Sequence, residues 1–201
     1  MHRRVNKTSA GFTLIEMMVS ITLGMIVIAG VTGTFTAQTR QNAAEQQVSQ
    51  MHQNVRGALD MIMRDLMQAG YKAPSGSVTG VTYSTTQLLV QADLDANGSI
   101  DTTNTSVEYI TYVYDSTNQQ ITRKLGNSGN STTEVLAENI TACTFTFKDA
   151  SDTATTTSSL IRKLSITITG QTAKVDPSYS SNNGKRSYSV SADVTPPNLA
   201  L

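Results

Sequence analysis

Twenty residues from Phe12 to Val31 carry a single charge, Glu16, in an otherwise apolar run. That length matches the roughly 20 residues a helix needs to cross a bilayer. A carboxylate at the centre of such a span costs on the order of 2.5–3.5 kcal/mol, so an acid kept there needs a role and a partner. Ahead of the run, residues 1–10 hold Arg3, Arg4 and Lys7 and no acid. Basic residues flanking an apolar segment stay on the cytoplasmic side, which predicts a single pass with the N-terminus inside and the bulk of the chain outside.

Two readings of the segment leave something over. A secretory signal peptide would end in a small-residue cleavage site after the run, yet the helical pattern continues through Thr34, Phe35, Thr36, Ala37 and Gln38. A plain uncleaved anchor leaves Glu16 without a reason. The motif itself supplies a third reading. Gly11-Phe12-Thr13-Leu14-Ile15-Glu16 after a short basic leader resembles the processing site of type IV prepilins and type II secretion pseudopilins. The resemblance implies that a prepilin peptidase cuts between Gly11 and Phe12, and that the new Phe12 amine is methylated. It further implies that Glu16 pairs with the N-terminal amine of a neighbouring subunit in a filament. Electrostatics agrees, because an opposite charge in the same low-dielectric layer relieves a stranded carboxylate. Gly24, Gly30 and Gly33 are open to two readings, close helix packing or local loosening.

Beyond Thr39 the helical pattern turns amphipathic. Val48, Met51, Val55, Leu59, Ile62, Leu66 and Ala69 recur at spacings of three and four and form one apolar stripe. Gly70 supplies a stop and Pro74 blocks resumption. A helix this long exceeds a bilayer, so its outer half is expected to lie against a soluble domain. The close Arg64-Asp65-Leu66…Ala69-Gly70-Tyr71 resembles the helix end of PilW-type minor pilins, with J-type pseudopilins as looser relatives.

After Pro74 the period becomes that of strands. Expected strands are Val78–Tyr83, Gln87–Ala92, Val107–Tyr114, Gln120–Leu125, Thr141–Lys148, Leu160–Thr169 and Tyr188–Val194, with a hairpin turn at Asp115–Asn118. Val107, Tyr109 and Val113 are expected on one face, Leu164, Ile166 and Ile168 on another. The stretches Gly126–Thr133, Ser151–Ser159 and Gln171–Ser187 look like polar, mobile loops. An antiparallel sheet folded onto the helix stripe covers both apolar faces. The order Tyr112…Arg123, Ile140…Phe147, Ile166–Thr169 and a Pro-Asn-Leu ending also resembles the PilW layout.

Little in the chain suggests catalysis, and it is expected not to be an enzyme. Past the helix there is no histidine, no second cysteine beside Cys143, and no phosphate-binding glycine loop. Lys+Arg 15 balances Asp+Glu 15, so no specific nucleic-acid partner is expected. One motif points to a cation. Asp93, Asp95, Asn97, Ser99 and Asp101 stand at relative positions 1, 3, 5, 7 and 9, with Gly98 at 6, as in the first part of an EF-hand loop. Asn104 occupies position 12, where that loop carries a bidentate Glu, so a calcium site here is expected to be weak. The alternative is a polar turn held by its own Asx hydrogen bonds.

The sequence thus predicts an α+β chain in which a long N-terminal helix, membrane-spanning in its first half and amphipathic in its second, packs against an antiparallel β-sheet domain. Its segments are a cleaved leader 1–11, an assembly helix 12–31, a spine 32–71 and an extracytoplasmic β-rich domain 72–201. The expected role is that of a minor pilin, residing in the inner membrane before assembly into an extracytoplasmic pilus. Its expected partners are prepilin peptidase and other minor and major pilins. The alternatives are a J-like pseudopilin of a secretion pseudopilus tip, and a membrane-anchored binding or calcium-sensing domain.

Overall fold

The computed structural model describes residues 11–72, 78–127, 129 and 131–199. One helix, α1 (Leu14–Gln68), precedes β1 (Val81–Thr82), β2 (Gln87–Gln91), β3 (Tyr109–Asp115), β4 (Gln120–Leu125), β5 (Thr132–Glu138), β6 (Ile140–Lys148), β7 (Lys163–Gln171) and β8 (Ser187–Val194). The chain divides into two compact units, Met1–Glu45 and Gln46–Leu201. The class is α+β, as the periodicities predict.

Within the first unit the described backbone is helical from Leu14, and its apolar side chains, Leu14, Ile15, Met25 and Ile28 among them, are exposed. This part of α1 is long and apolar enough to cross a membrane. Hydroxyls inside it are satisfied locally. Ser20, Thr32, Thr34, Thr36 and Thr39 each donate to the carbonyl four residues back, which removes the cost of an unpaired donor in an apolar layer.

In the second unit the stripe predicted on α1 is the buried one: Met51, Val55, Leu59, Ile62 and Leu66 enter the core. It packs on two antiparallel sheets rather than one, ordered β1-β2-β3-β4-β5 and β6-β7-β8. The chain passes between them at Asn139, whose left-handed backbone (φ 57°) turns β5 into β6. A single core joins both sheets, with Leu88, Ile110, Tyr112 and Ile121 from the first, and Ile140, Ile166 and Ile168 from the second.

Three expectations need correction. The inward face of β3 is Ile110 and Tyr112, while Val107 is exposed. The aromatic inside is therefore Tyr112, which finds a buried partner for its hydroxyl. Strand β5 is a strand the sequence reading lacks, overlapping the expected linker only at Thr132–Thr133, because as an edge strand only its Ala137 is buried and it has no clean alternation. The β7–β8 connection is a bonded loop rather than a free one. Arg186 donates to Asp176 at 2.9 Å and Lys174 N donates to Gln47 Oε1 at 2.9 Å. The Ser178 backbone N–H and the Arg186 guanidinium hold the Asp176 carboxyl below the usual carboxylate range.

Candidate functional site

The processing motif occupies the first turn of α1. Helical backbone begins at Leu14, which makes Thr13 the N-cap and Glu16 the third helical residue. Glu16 N donates to Thr13 Oγ1, and Thr13 N donates back to Glu16 Oε2, each at 3.3 Å. The Thr13 hydroxyl donates to the same oxygen at 3.3 Å. This is a reciprocal capping box. It answers the question raised by an acid in an apolar helix: the carboxylate sits at the positive end of the helix dipole and closes two orphan donors. The same geometry ties the Glu16 carboxylate to Thr13, and Phe12, the residue before the cap, lies outside the helix and is exposed. A cut at Gly11–Phe12 would thus free an amine one residue ahead of the cap that holds the acid.

At the other end of α1, the residues quoted from the helix close meet in space. Asp65 is buried, and its Oδ2 accepts from the Tyr112 hydroxyl at 2.5 Å and from Arg123 Nε and Nη2, both at 3.0 Å. Helix, β3 and β4 are thereby joined by one carboxylate. Burial first, and then the Asp65 carboxylate, push the Tyr112 hydroxyl above its ordinary range. Gly70 adopts φ +78° and donates to Gln91 O at 2.9 Å, and Tyr71 O accepts from Asp93 N at 2.8 Å. A Cβ at Gly70 would lie 2.7 Å from Leu199 Cδ2 and one at Gly80 2.5 Å from the same atom. The Ala-Gly-Tyr close and the Pro-Asn-Leu ending are therefore two sides of one contact. It needs glycine for both its backbone conformation and its closeness.

The Asp93–Asp101 loop brings together a different set from the one its spacing suggests. One carboxylate oxygen each from Asp93, Asp95 and Glu108 lie within 4.8 Å of one another. Glu108 enters from the start of β3 and accepts backbone N–H groups of Leu94, Asp95 and Asp101 at 2.8, 3.1 and 2.8 Å. Asn97 Oδ1 accepts instead from Ser99, and both Asp101 oxygens accept from Thr103. The Asp93 and Asp95 carboxylates bond the loop as well, accepting from Asn97 N, Gly98 N and Asn97 Nδ2. Glu108 stands at position 16 counted from Asp93, beyond the reach of a fixed-spacing motif. Cys143 offers no nucleophile: burial pushes its thiol up to about 12, so it stays protonated at neutral pH.

Residues 44–194 match the profile of a family described as prepilin peptidase-dependent protein B. The chain belongs to the prepilin peptidase-dependent protein B family. A second profile, the prokaryotic N-terminal methylation motif, matches residues 6–32, the stretch that contains the capping box. No curated protein matches the chain. Among solved structures it is similar to a type IV-like pilin from Thermus thermophilus, with 10% identity and a TM-score of 0.48. That alignment covers 74% of this chain and 97% of the other. The chain is a prepilin peptidase-dependent, type IV pilin-like protein.

Proposed function

We propose that this chain is a minor pilin of a type IV pilus. Prepilin peptidase cuts it between Gly11 and Phe12, Phe12 is methylated, and Glu16 pairs with the N-terminal amine of a neighbouring subunit during assembly. The observation that carries this reading is the capping box, which holds the Glu16 carboxylate at the helix start, on Thr13, the residue that follows Phe12. Before assembly the Phe12–Val31 helix lies in the inner membrane, and Arg3, Arg4 and Lys7 keep the leader cytoplasmic. In the filament the same helix joins a bundle of subunits, and the 72–201 domain faces outward toward other pilins. The Arg64-Asp65-Leu66…Ala69-Gly70-Tyr71 close, which resembles the helix end of PilW-type minor pilins, supports the pilus over a J-like secretion pseudopilin. A weak divalent-cation site at Asp93, Asp95 and Glu108 completes the proposal, supported by the convergence of their carboxylates.

Substituting Glu16→Ala tests the assembly role. The expected result is normal cleavage with loss of incorporation into filaments sheared from cells. Wild-type incorporation of the variant would remove the role assigned to Glu16. Purified pili should contain the wild-type chain; its recovery only with a secretion pseudopilus would move the assignment there.

A further inference from the structure

The two sheets end in the strands β1, β5, β6 and β8. Native sheets blunt their edges with short strands, bulges, charges or proline, because an open row of backbone groups templates pairing with another chain. Three of these edges are blunted. β1 is two residues long, and β5 bulges at Leu136 and carries Glu134 and Glu138. β6 bulges between Ile140 and Ala142, and its Phe147 O accepts from Thr155 N at 2.9 Å. β8 has none of these devices. It pairs with β7 in unbroken register from Ser187↔Gln171 to Val194↔Leu164, and its run Ser-Tyr-Ser-Val-Ser-Ala-Asp-Val holds no proline and one charge. Two bonds fix which of its backbone groups are open. Gln171 N donates to Asn139 O and Thr172 N to Arg186 O, each at 2.8 Å, so odd-numbered β7 residues face β6 and even-numbered ones face β8. Ser187, Ser189, Ser191 and Asp193 therefore turn their N–H and C=O groups to the open side. All four residues are exposed, and no described residue bonds those groups.

This edge is complementary to itself. In an antiparallel pair of two β8 strands centred on Ser189, that residue meets Ser189 of the second copy and Ser187 meets its Ser191. Each of these pairs exchanges both backbone bonds. The side chains match on both faces. Ser189 and Ser191 bond Thr169 and Thr167 across β7 and so mark the outer face of the sheet. On that face the register sets Lys185 opposite Asp193 of the second copy, once at each end. Lys185 is extended (φ −103°, ψ 130°), and neither it nor Asp193 makes an ion pair with a described residue. On the inner face Tyr188 stands opposite Val190, an aromatic–β-branched pair of the kind that stabilises sheets. Both side chains lie half-buried at the rim of the core. A shift of two residues either way loses the match of lysine with aspartate. We propose that β8 is a self-association edge, through which two copies of this chain join their three-stranded sheets into one continuous sheet. The pairing uses only residues of the Gln46–Leu201 unit and is independent of processing at Gly11–Phe12 and of the pilus assignment.

Cysteine cross-linking of the full chain in detergent micelles reads the register directly. Ser189→Cys sets a thiol on the two-fold axis beside its own copy, whereas Ser187→Cys faces Ser191 of the second copy. Under mild oxidation Ser189→Cys is expected to form disulfide-linked dimers about tenfold faster than Ser187→Cys, because only its two thiols come within bonding distance. The wild-type chain, with the half-buried Cys143 alone, is the blank. Lys185→Glu sets carboxylates face to face and should weaken pairing about fivefold, read by energy transfer between labelled copies. Adding Asp193→Lys should restore it, a rescue that misfolding cannot produce. Equal rates at Ser187 and Ser189, or no dimer at all, overturn the proposal. So does pairing that Lys185→Glu leaves unchanged, and so does a double variant as weak as Lys185→Glu.

Discussion

Removing the Asp65 carboxylate should damage the fold far more than a surface acid would. In Asp65→Ala the fully buried Tyr112 hydroxyl loses its acceptor, and the Arg123 guanidinium, with its side chain 13% exposed, loses its ion pair. Breaking a buried pair from one side costs about 3–5 kcal/mol, because the remaining charge stays desolvated. Limited solvent access at Arg123 sets the expectation at the low end, about 3 kcal/mol. A domain with about 5–15 kcal/mol of stability would lose a substantial share. Urea unfolding of the full chain in micelles measures this through the near-UV circular dichroism of its seven tyrosines, in a chain with no Trp. The expected midpoint shift is roughly 1–2 M. The triple variant Asp65→Leu, Tyr112→Phe, Arg123→Met should recover most of the loss, since it leaves no buried group unpaired. A loss below about 1 kcal/mol for Asp65→Ala, the value of an exposed pair, would refute the reasoning.

The Tyr112 hydroxyl is harder to ionise folded than unfolded, so the folded chain retains a proton that the unfolded chain releases. Its contribution is fully present below about pH 10 and falls as pH rises further; Tyr112→Phe should flatten that alkaline decline in unfolding free energy. Thr13→Val removes the cap at a cost of about 1 kcal/mol, and amide exchange across Leu14–Met17 in micelles should quicken about fivefold; unchanged exchange would contradict the capping box. Calorimetric titration with calcium, but not magnesium, should give heat with a Kd of about 10⁻⁴–10⁻³ M. Glu108→Gln should abolish that heat, and a flat wild-type trace at millimolar calcium would remove the site.

Local chemistry made the helix legible. The apolar run, the stripe from Met51 to Leu66 and the stop at Gly70 all follow from spacing along one element, and β4 (Gln120–Leu125) is the strand the sequence bounds. What spacing along one element cannot carry is partnership. Asp65 lies 47 residues from Tyr112 and 58 from Arg123, so their shared carboxylate appears only once the sheet is folded onto the helix. Strand β5 was hidden for a related reason: with Glu134 and Val135 both exposed, the alternation that marks a half-buried strand is absent. Glu108 completes the carboxylate cluster from outside the loop whose spacing suggested it. The capping box was legible as Thr13-Leu14-Ile15-Glu16, yet the apolar context drew attention to the charge rather than to the cap.

The central claim is that the chain is processed at its capped helix start, and intact-mass measurement of the chain purified from cells containing prepilin peptidase tests it most directly. The account predicts loss of Met1–Gly11 and the gain of one methyl group on Phe12. A chain that retains Met1–Gly11 would contradict it.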